Sequence, residues 1–173
     1  MTAAFPLRAL QLLLLVFAPN SAAGEPRVWP KPTSATVTPA VPIRFANFTF
    51  VTPTDSSDGV LAKATARYRD IILALSSSPD AVVAALGTVY KVTVVVEDGQ
   101  VPLAPGPEMN ESYAIDANAA GCKITAHSVW GALHGLETFS QLVTTSGAES
   151  AGFELEGPVH IVDGPRFAWR GLM

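Results

Sequence analysis

The sequence predicts an α+β domain: a mainly antiparallel sheet of about five strands with two helices on one face. Three observations point there. Segments 59–75 and 128–143 repeat apolar residues at helical spacing. Segment 90–97 is a β-branched run containing Val92, Thr93, Val94, Val95 and Val96. Asn118-Ala-Ala-Gly121 joins two short strand-like segments in the manner of a hairpin turn.

Taken in order, residues 1–24 read as a secretory signal. Arg8 supplies the positive region, 9–18 the apolar core, and small residues around Ala23 and Gly24 the cleavage site. An apolar core of about 10 residues falls short of the ~20 that span a bilayer, so no membrane span is expected. Residues 25–42 are rich in proline, which excludes helix and central strand and places them on the surface or on a sheet edge. Residues 45–52 alternate, with Phe48 and Phe50 against Asn47 and Thr49, as a half-buried strand does.

Asp55-Ser-Ser-Asp58 offers cap chemistry for the first helix, whose Leu61, Thr65, Tyr68, Ile72 and Leu75 share a face. Residues 111–117 and 122–126 form the hairpin. Ser128 caps the second helix, on which Gly131 and Gly135 permit a close approach by a neighbouring helix or by the sheet. Gly147 is expected to end that helix, and 153–155 and 159–162 to close the sheet.

Charge and composition remove several function classes. Eleven basic against 15 acidic side chains give a net charge of −4, the wrong sign for a nucleic-acid partner held through clustered Lys and Arg. The single cysteine, Cys122, has no intrachain disulfide partner and is expected to be buried. His134 and Glu137 lie three apart on one helix, but no His-Glu-x-x-His run or third ligand accompanies them, so no metal and no cofactor is expected. There is no Gly-x-Ser-x-Gly nucleophile motif. Asn47-Phe-Thr49 and Asn110-Glu-Ser112 are glycosylation sequons at Asn47 and Asn110. Arg170, between Trp169 and Gly171, offers a rigid fork of donors suited to sugar hydroxyls; a snorkelling or ion-paired surface arginine is the alternative.

Four stretches resemble one family. Val28-Trp-Pro-Lys-Pro32, Arg67-Tyr-Arg-Asp-Ile71, the run from Ile124 through Trp130-Gly-Ala-Leu-His-Gly-Leu-Glu-Thr-Phe139 to Val143, and Asp163-Gly-Pro-Arg-Phe-Ala-Trp-Arg-Gly-Leu-Met173 are similar to segments of family 20 glycoside hydrolases, the β-N-acetylhexosaminidases. The resemblance implies a zincin-like accessory domain over 25–162. It also implies a linker and first strand of a truncated (β/α)8 barrel over 163–173, with Asp163, Pro165 and Arg166 shaping the linker. Arg170 then matches an arginine that contacts the terminal amino sugar. The family's catalytic Asp-Glu pair lies in a later barrel strand, so no catalytic residue is expected here.

The resemblance further implies terminal GlcNAc or GalNAc glycoconjugates as substrates of the whole protein. It implies docking on a (β/α)8 barrel, a possible homodimer, and a secreted, lysosomal or vacuolar location. A stand-alone glycan-binding or partner-capping module is the rival reading.

Overall fold

The computed structural model describes residues 26–38, 42–53, 59–76, 89–97, 109–146 and 152–165. In chain order these form β1 (Ser34–Val37), β2 (Ile43–Phe45), β3 (Phe48–Val51), α1 (Val60–Leu73), β4 (Tyr90–Val96), β5 (Tyr113–Asn118), β6 (Gly121–Ala126), α2 (Val129–Leu142), β7 (Val143–Thr145), β8 (Phe153–Leu155) and β9 (Val159–Asp163). A six-stranded sheet runs β1-β9-β5-β6-β4-β3, and a small sheet runs β2-β8-β7.

The α+β class expected from the sequence is what forms, with the two helices on one face of the large sheet. Antiparallel pairing predominates, but β4 lies parallel to both β3 and β6. The first parallel pair arises because α1 crosses between β3 and β4, a connection that returns the chain in the same direction. Register then sorts the faces. Ala35, Ile161, Ile115, Ile124 and Val94 stand in one row across five strands, and the last four are fully buried. One residue along, His160, Asp116 and Lys123 form an exposed row on the opposite face. This is the period-two consequence of covering one face only.

The α2 helix lies flush on the sheet because it carries glycine where it touches. A Cβ at Gly131 would lie 2.6 Å from the Ser112 carbonyl oxygen, and one at Gly135 2.6 Å from Ile124 Cγ2. The close approach anticipated for these glycines is therefore to the sheet at Gly135 and to the segment leading into β5 at Gly131. The expected cap is present: Ser128 Oγ accepts from the Gly131 amide at 3.3 Å and donates to the Asn110 carbonyl at 2.6 Å. By contrast α1 packs chiefly on α2 and reaches the sheet mainly at β3.

Three boundaries differ from expectation. The segment 45–52 is not one strand: Phe45 ends β2 in the small sheet and Phe48 begins β3 in the large one. The break is driven by aromatic packing, with Phe45 stacked on Tyr90 (4.5 Å) and Phe48 edge-on to Phe153 (5.7 Å). The second helix ends at Leu142, where Val143 turns extended and pairs with Leu155; Gly147 lies outside the described residues. At the start of α1 the N-cap is Gly59 in the left-handed region (φ 77°) with no side-chain cap bond, while 55–58 lie outside the described residues.

The proline-rich lead-in contributes the edge strand β1, as edge placement of such a segment allows. Thr65 is half-buried and Leu75 is 45% exposed, so the buried face of α1 is narrower than its periodicity suggests.

Candidate functional site

The end of β9 is built as a clamp. Asp163 stands opposite Tyr113 in the sheet. Its Oδ1 accepts from the Thr33 amide (3.0 Å) and the Thr33 hydroxyl (2.9 Å). Its Oδ2 accepts from the Tyr113 hydroxyl at 3.3 Å, and that hydroxyl also pairs with Thr138 Oγ1 at 2.6 Å. One carboxylate thus fastens the segment before β1, the start of β5 and the middle of α2 to the point where the chain leaves the domain. Hydrogen bonds to a charged acceptor are stronger than neutral ones, and Tyr113 and Thr138 are buried.

A second network covers the outer side of the helix pair. Gln141 on α2 grips the backbone of Trp29 twice: Trp29 N–H donates to Oε1 (2.7 Å) and Nε2 donates to the Trp29 carbonyl (2.9 Å). Gln141 Nε2 also donates to Glu137 Oε1 at 3.0 Å, and Glu137 Oε2 accepts from the Tyr68 hydroxyl of α1 at 2.9 Å. Burial, then the hydrogen bond to Glu137, pushes the Tyr68 phenol up to about 12. The Arg67 guanidinium lies over the Tyr68 ring at 5.1 Å. Held by its backbone, the Trp29 side chain stays 82% exposed.

The two networks join the four stretches singled out in the sequence. Trp29, Tyr68, Glu137 with Gln141, and Asp163 come one from each, and α2 is the element on which they meet.

Arg170, the substrate-binding candidate, lies outside the described residues, as does Arg166. Pro165 and Asp163 are described; Asp163, expected to bond nearby amides in a linker, instead ends β9 and accepts from the amide of Thr33, 130 residues away. Asn47 is half-buried and Asn110 exposed. His134 and Glu137 do not share a ligand position: His134 contacts Glu111 at 3.2 Å. His127 pairs with Glu97 at 3.6 Å, and His160 with Asp116. These half-exposed pairs are spread over the surface and contribute little each. Among the described residues no three metal-binding side chains gather.

Cys122 is buried, and burial with the nearby Asp116 raises its thiol from 9.0 to about 12, so it is no thiolate at neutral pH. Sequence reasoning missed Thr33, Tyr113 and Thr138. The one available signal was Tyr113 at a core-facing strand position, where a buried phenol needs a hydrogen-bond partner. What the clamp does chemically is hold geometry; its groups are engaged with one another.

A family model described as beta-acetyl hexosaminidase like matches residues 28–142. A Beta-hexosaminidase of Emericella nidulans is 33% identical over 190 residues, which covers 95% of this chain and 31% of that protein. Among solved structures, a chitobiase of Flavobacterium johnsoniae matches with a TM-score of 0.62 and 25% identity, over 82% of this chain and 21% of its own. A mutant Streptomyces plicatus beta-hexosaminidase in complex with product GlcNAc matches with a TM-score of 0.51 and 27% identity, over 88% and 29% respectively. The chain therefore spans less than a third of the length of these relatives. The fold, the motifs and these matches agree: the chain belongs to the β-acetyl-hexosaminidase-like family, whose N-terminal accessory domain it contains.

Proposed function

We propose that this domain is the supporting part of an exo-β-N-acetylhexosaminidase that removes terminal GlcNAc or GalNAc from glycoconjugates. The observation that carries the reading is the meeting of all four family-like segments on α2, two of them through a clamp at the exit toward residues 164–173. Hydrolysis belongs to a (β/α)8 barrel. There the substrate's own acetamido oxygen attacks the anomeric carbon, an aspartate orients the acetamido group, and a glutamate protonates the leaving oxygen. From this chain Arg170 contributes hydroxyl contacts to the terminal sugar, and the residues after Asp163 form the linker and the barrel's first strand.

The domain docks on the barrel through the outer side of its helices. Trp29, Ile71 and Leu75 leave large apolar side chains in solvent there (82%, 41% and 45% exposed). The indole Nε1 of Trp130, on α2, is buried and has no hydrogen-bond partner among the described residues. Residues 1–24 direct the protein into the secretory route, toward secretion or a lysosomal or vacuolar compartment, where Asn47 and Asn110 meet the glycosylation machinery. Full-length homodimers form through barrel surfaces.

The test is the intact mass of the native, deglycosylated protein captured with an antibody to residues 67–75. The account expects a species heavier than the 18.1 kDa chain by at least ~27 kDa, the mass of a barrel of ~250 residues. A species near ~16 kDa, the chain less its cleaved signal, contradicts it and favours the stand-alone module.

A further inference from the structure

The two sequons differ in their folded surroundings, and one opens onto a groove. Asn110, Glu97, Ala114, Thr125, His127 and Val162 line a cleft of about 250 Å³ on the open side of the sheet, beside the end of β9. Its floor includes Val162, an apolar side chain left 42% exposed. One wall carries the Glu97–His127 pair (3.6 Å), whose side chains are 59% and 47% exposed and so retain free hydrogen-bonding capacity. An apolar floor with a polar wall is the lining that a pyranose uses: its C–H face packs while its hydroxyls and N-acetyl group bond.

Asn110 is exposed, and its Oδ1 accepts from the amide of Ser112, two residues on, at 2.9 Å. This Asx turn lies wholly within the sequon, so it needs no tertiary structure and forms in a nascent chain. It engages the side-chain carbonyl and leaves the amide nitrogen without a partner among the described residues. At Asn47 the arrangement is different. The residue is half-buried between the core residues Phe45 and Phe48, its Oδ1 accepts from the adjacent Phe48 amide (2.8 Å), and its carbonyl is taken by the Tyr90 amide (2.9 Å).

We propose that Asn110 is the preferred N-glycosylation site of this chain and that the first GlcNAc of its glycan rests in the groove on Val162, bonded to Glu97 and His127. In the transfer, Asn110 Nδ2 forms the bond to the anomeric carbon of a lipid-pyrophosphate-linked oligosaccharide. The sugar–phosphate C–O bond breaks, the lipid pyrophosphate leaves with that electron pair, and the amide proton passes to the transferase's base. The glycan then covers part of the open sheet face next to the domain exit without touching the helix layer. The proposal rests on the secretory reading above.

The experiment expresses the full chain, with whatever follows it in the native protein, in a glycosylating secretory host. Peptide mass spectrometry reads three things: removal of residues 1–24, occupancy at Asn110 and occupancy at Asn47. Native-state endoglycosidase digestion then compares the wild type with Glu97→Gln and Val162→Ser, with Asn110→Gln as the unglycosylated control. The expected result is a processed N-terminus and higher occupancy at Asn110 than at Asn47. Cleavage of the Asn110 glycan should accelerate about five-fold in Glu97→Gln, the factor that one net hydrogen bond is worth. A processed N-terminus with Asn110 bare overturns the inference and leaves the secretory reading standing. An unprocessed N-terminus overturns both. Occupancy at Asn110 with equal cleavage rates in all variants overturns the seat.

Discussion

The two helices have similar lengths and motif content yet sit in the domain differently. One layer in, α2 replaces side chains with glycine to reach the sheet, is capped by Ser128, and buries Phe139 completely. It also holds a partner for each network, Thr138 for the clamp and Gln141 with Glu137 for the outer side. Against it, α1 rests mostly on α2, begins at an uncapped left-handed glycine and leaves Ile71 in solvent. The difference separates an element that defines the core from one that offers a surface. A domain used as a support needs both.

The largest effect expected is on α2. Phe139→Ala removes a fully buried ring that meets Phe50 at 6.1 Å and should cost about 3–5 kcal/mol in denaturant unfolding. Next comes Gly131→Ala, whose Cβ would lie 2.6 Å from a backbone carbonyl that cannot rotate away. Overpacking of this kind costs about 1–3 kcal/mol and shifts α2 from the sheet.

Alkaline pH tests the contact between the helices and the strand beneath. The Cys122 thiol rises from 9.0 to about 12 and the Tyr68 phenol from 10.0 to about 12 on folding. Both groups are neutral in either state at pH 7. Above 9, then 10, the unfolded chain loses protons that the folded one keeps, so stability falls as pH rises, by up to about 1.4 kcal/mol per pH unit for each group. Thermal melts from pH 7 to about 10.5 read this slope, and Cys122→Ala should remove its onset near pH 9.

Smaller still is Gly59→Ala at the start of α1. It meets nothing within 4 Å, so only the left-handed backbone (φ 77°) is penalised, by about 1–2 kcal/mol. The comparison breaks if this change exceeds the Gly131 one. Ile71→Ser should move stability by less than about 0.5 kcal/mol in the isolated chain, and a larger loss would mean that Ile71 belongs to the core.

Local rules were legible in the sequence where local physics decides the outcome. Ser128 as a cap, the Asn118–Gly121 turn, the buried Cys122 and the glycine face of α2 each follow from a few neighbouring residues. The break between Phe45 and Phe48 was missed: the two rings are three apart, so the alternation changes phase between them, and stacking of Phe45 on Tyr90 together with pairing to β8, more than 100 residues on, divides the segment. The same holds for β7, a strand made from what reads as the end of a helix. Asp163 was legible as a residue that bonds amides, but its partner Thr33 is set by the β1–β9 register. The role of Arg170 rests on motif likeness, since it lies outside the described residues.

Hydrogen exchange on the purified chain, read by peptide mass spectrometry across 60–73 and 129–142, tests the central contrast most directly. The account predicts that α2 amides, with those of β5 and β6, exchange only through global unfolding, while α1 opens earlier in a smaller, sub-global event. Equal protection of the two helices, or slower exchange in α1, would contradict it.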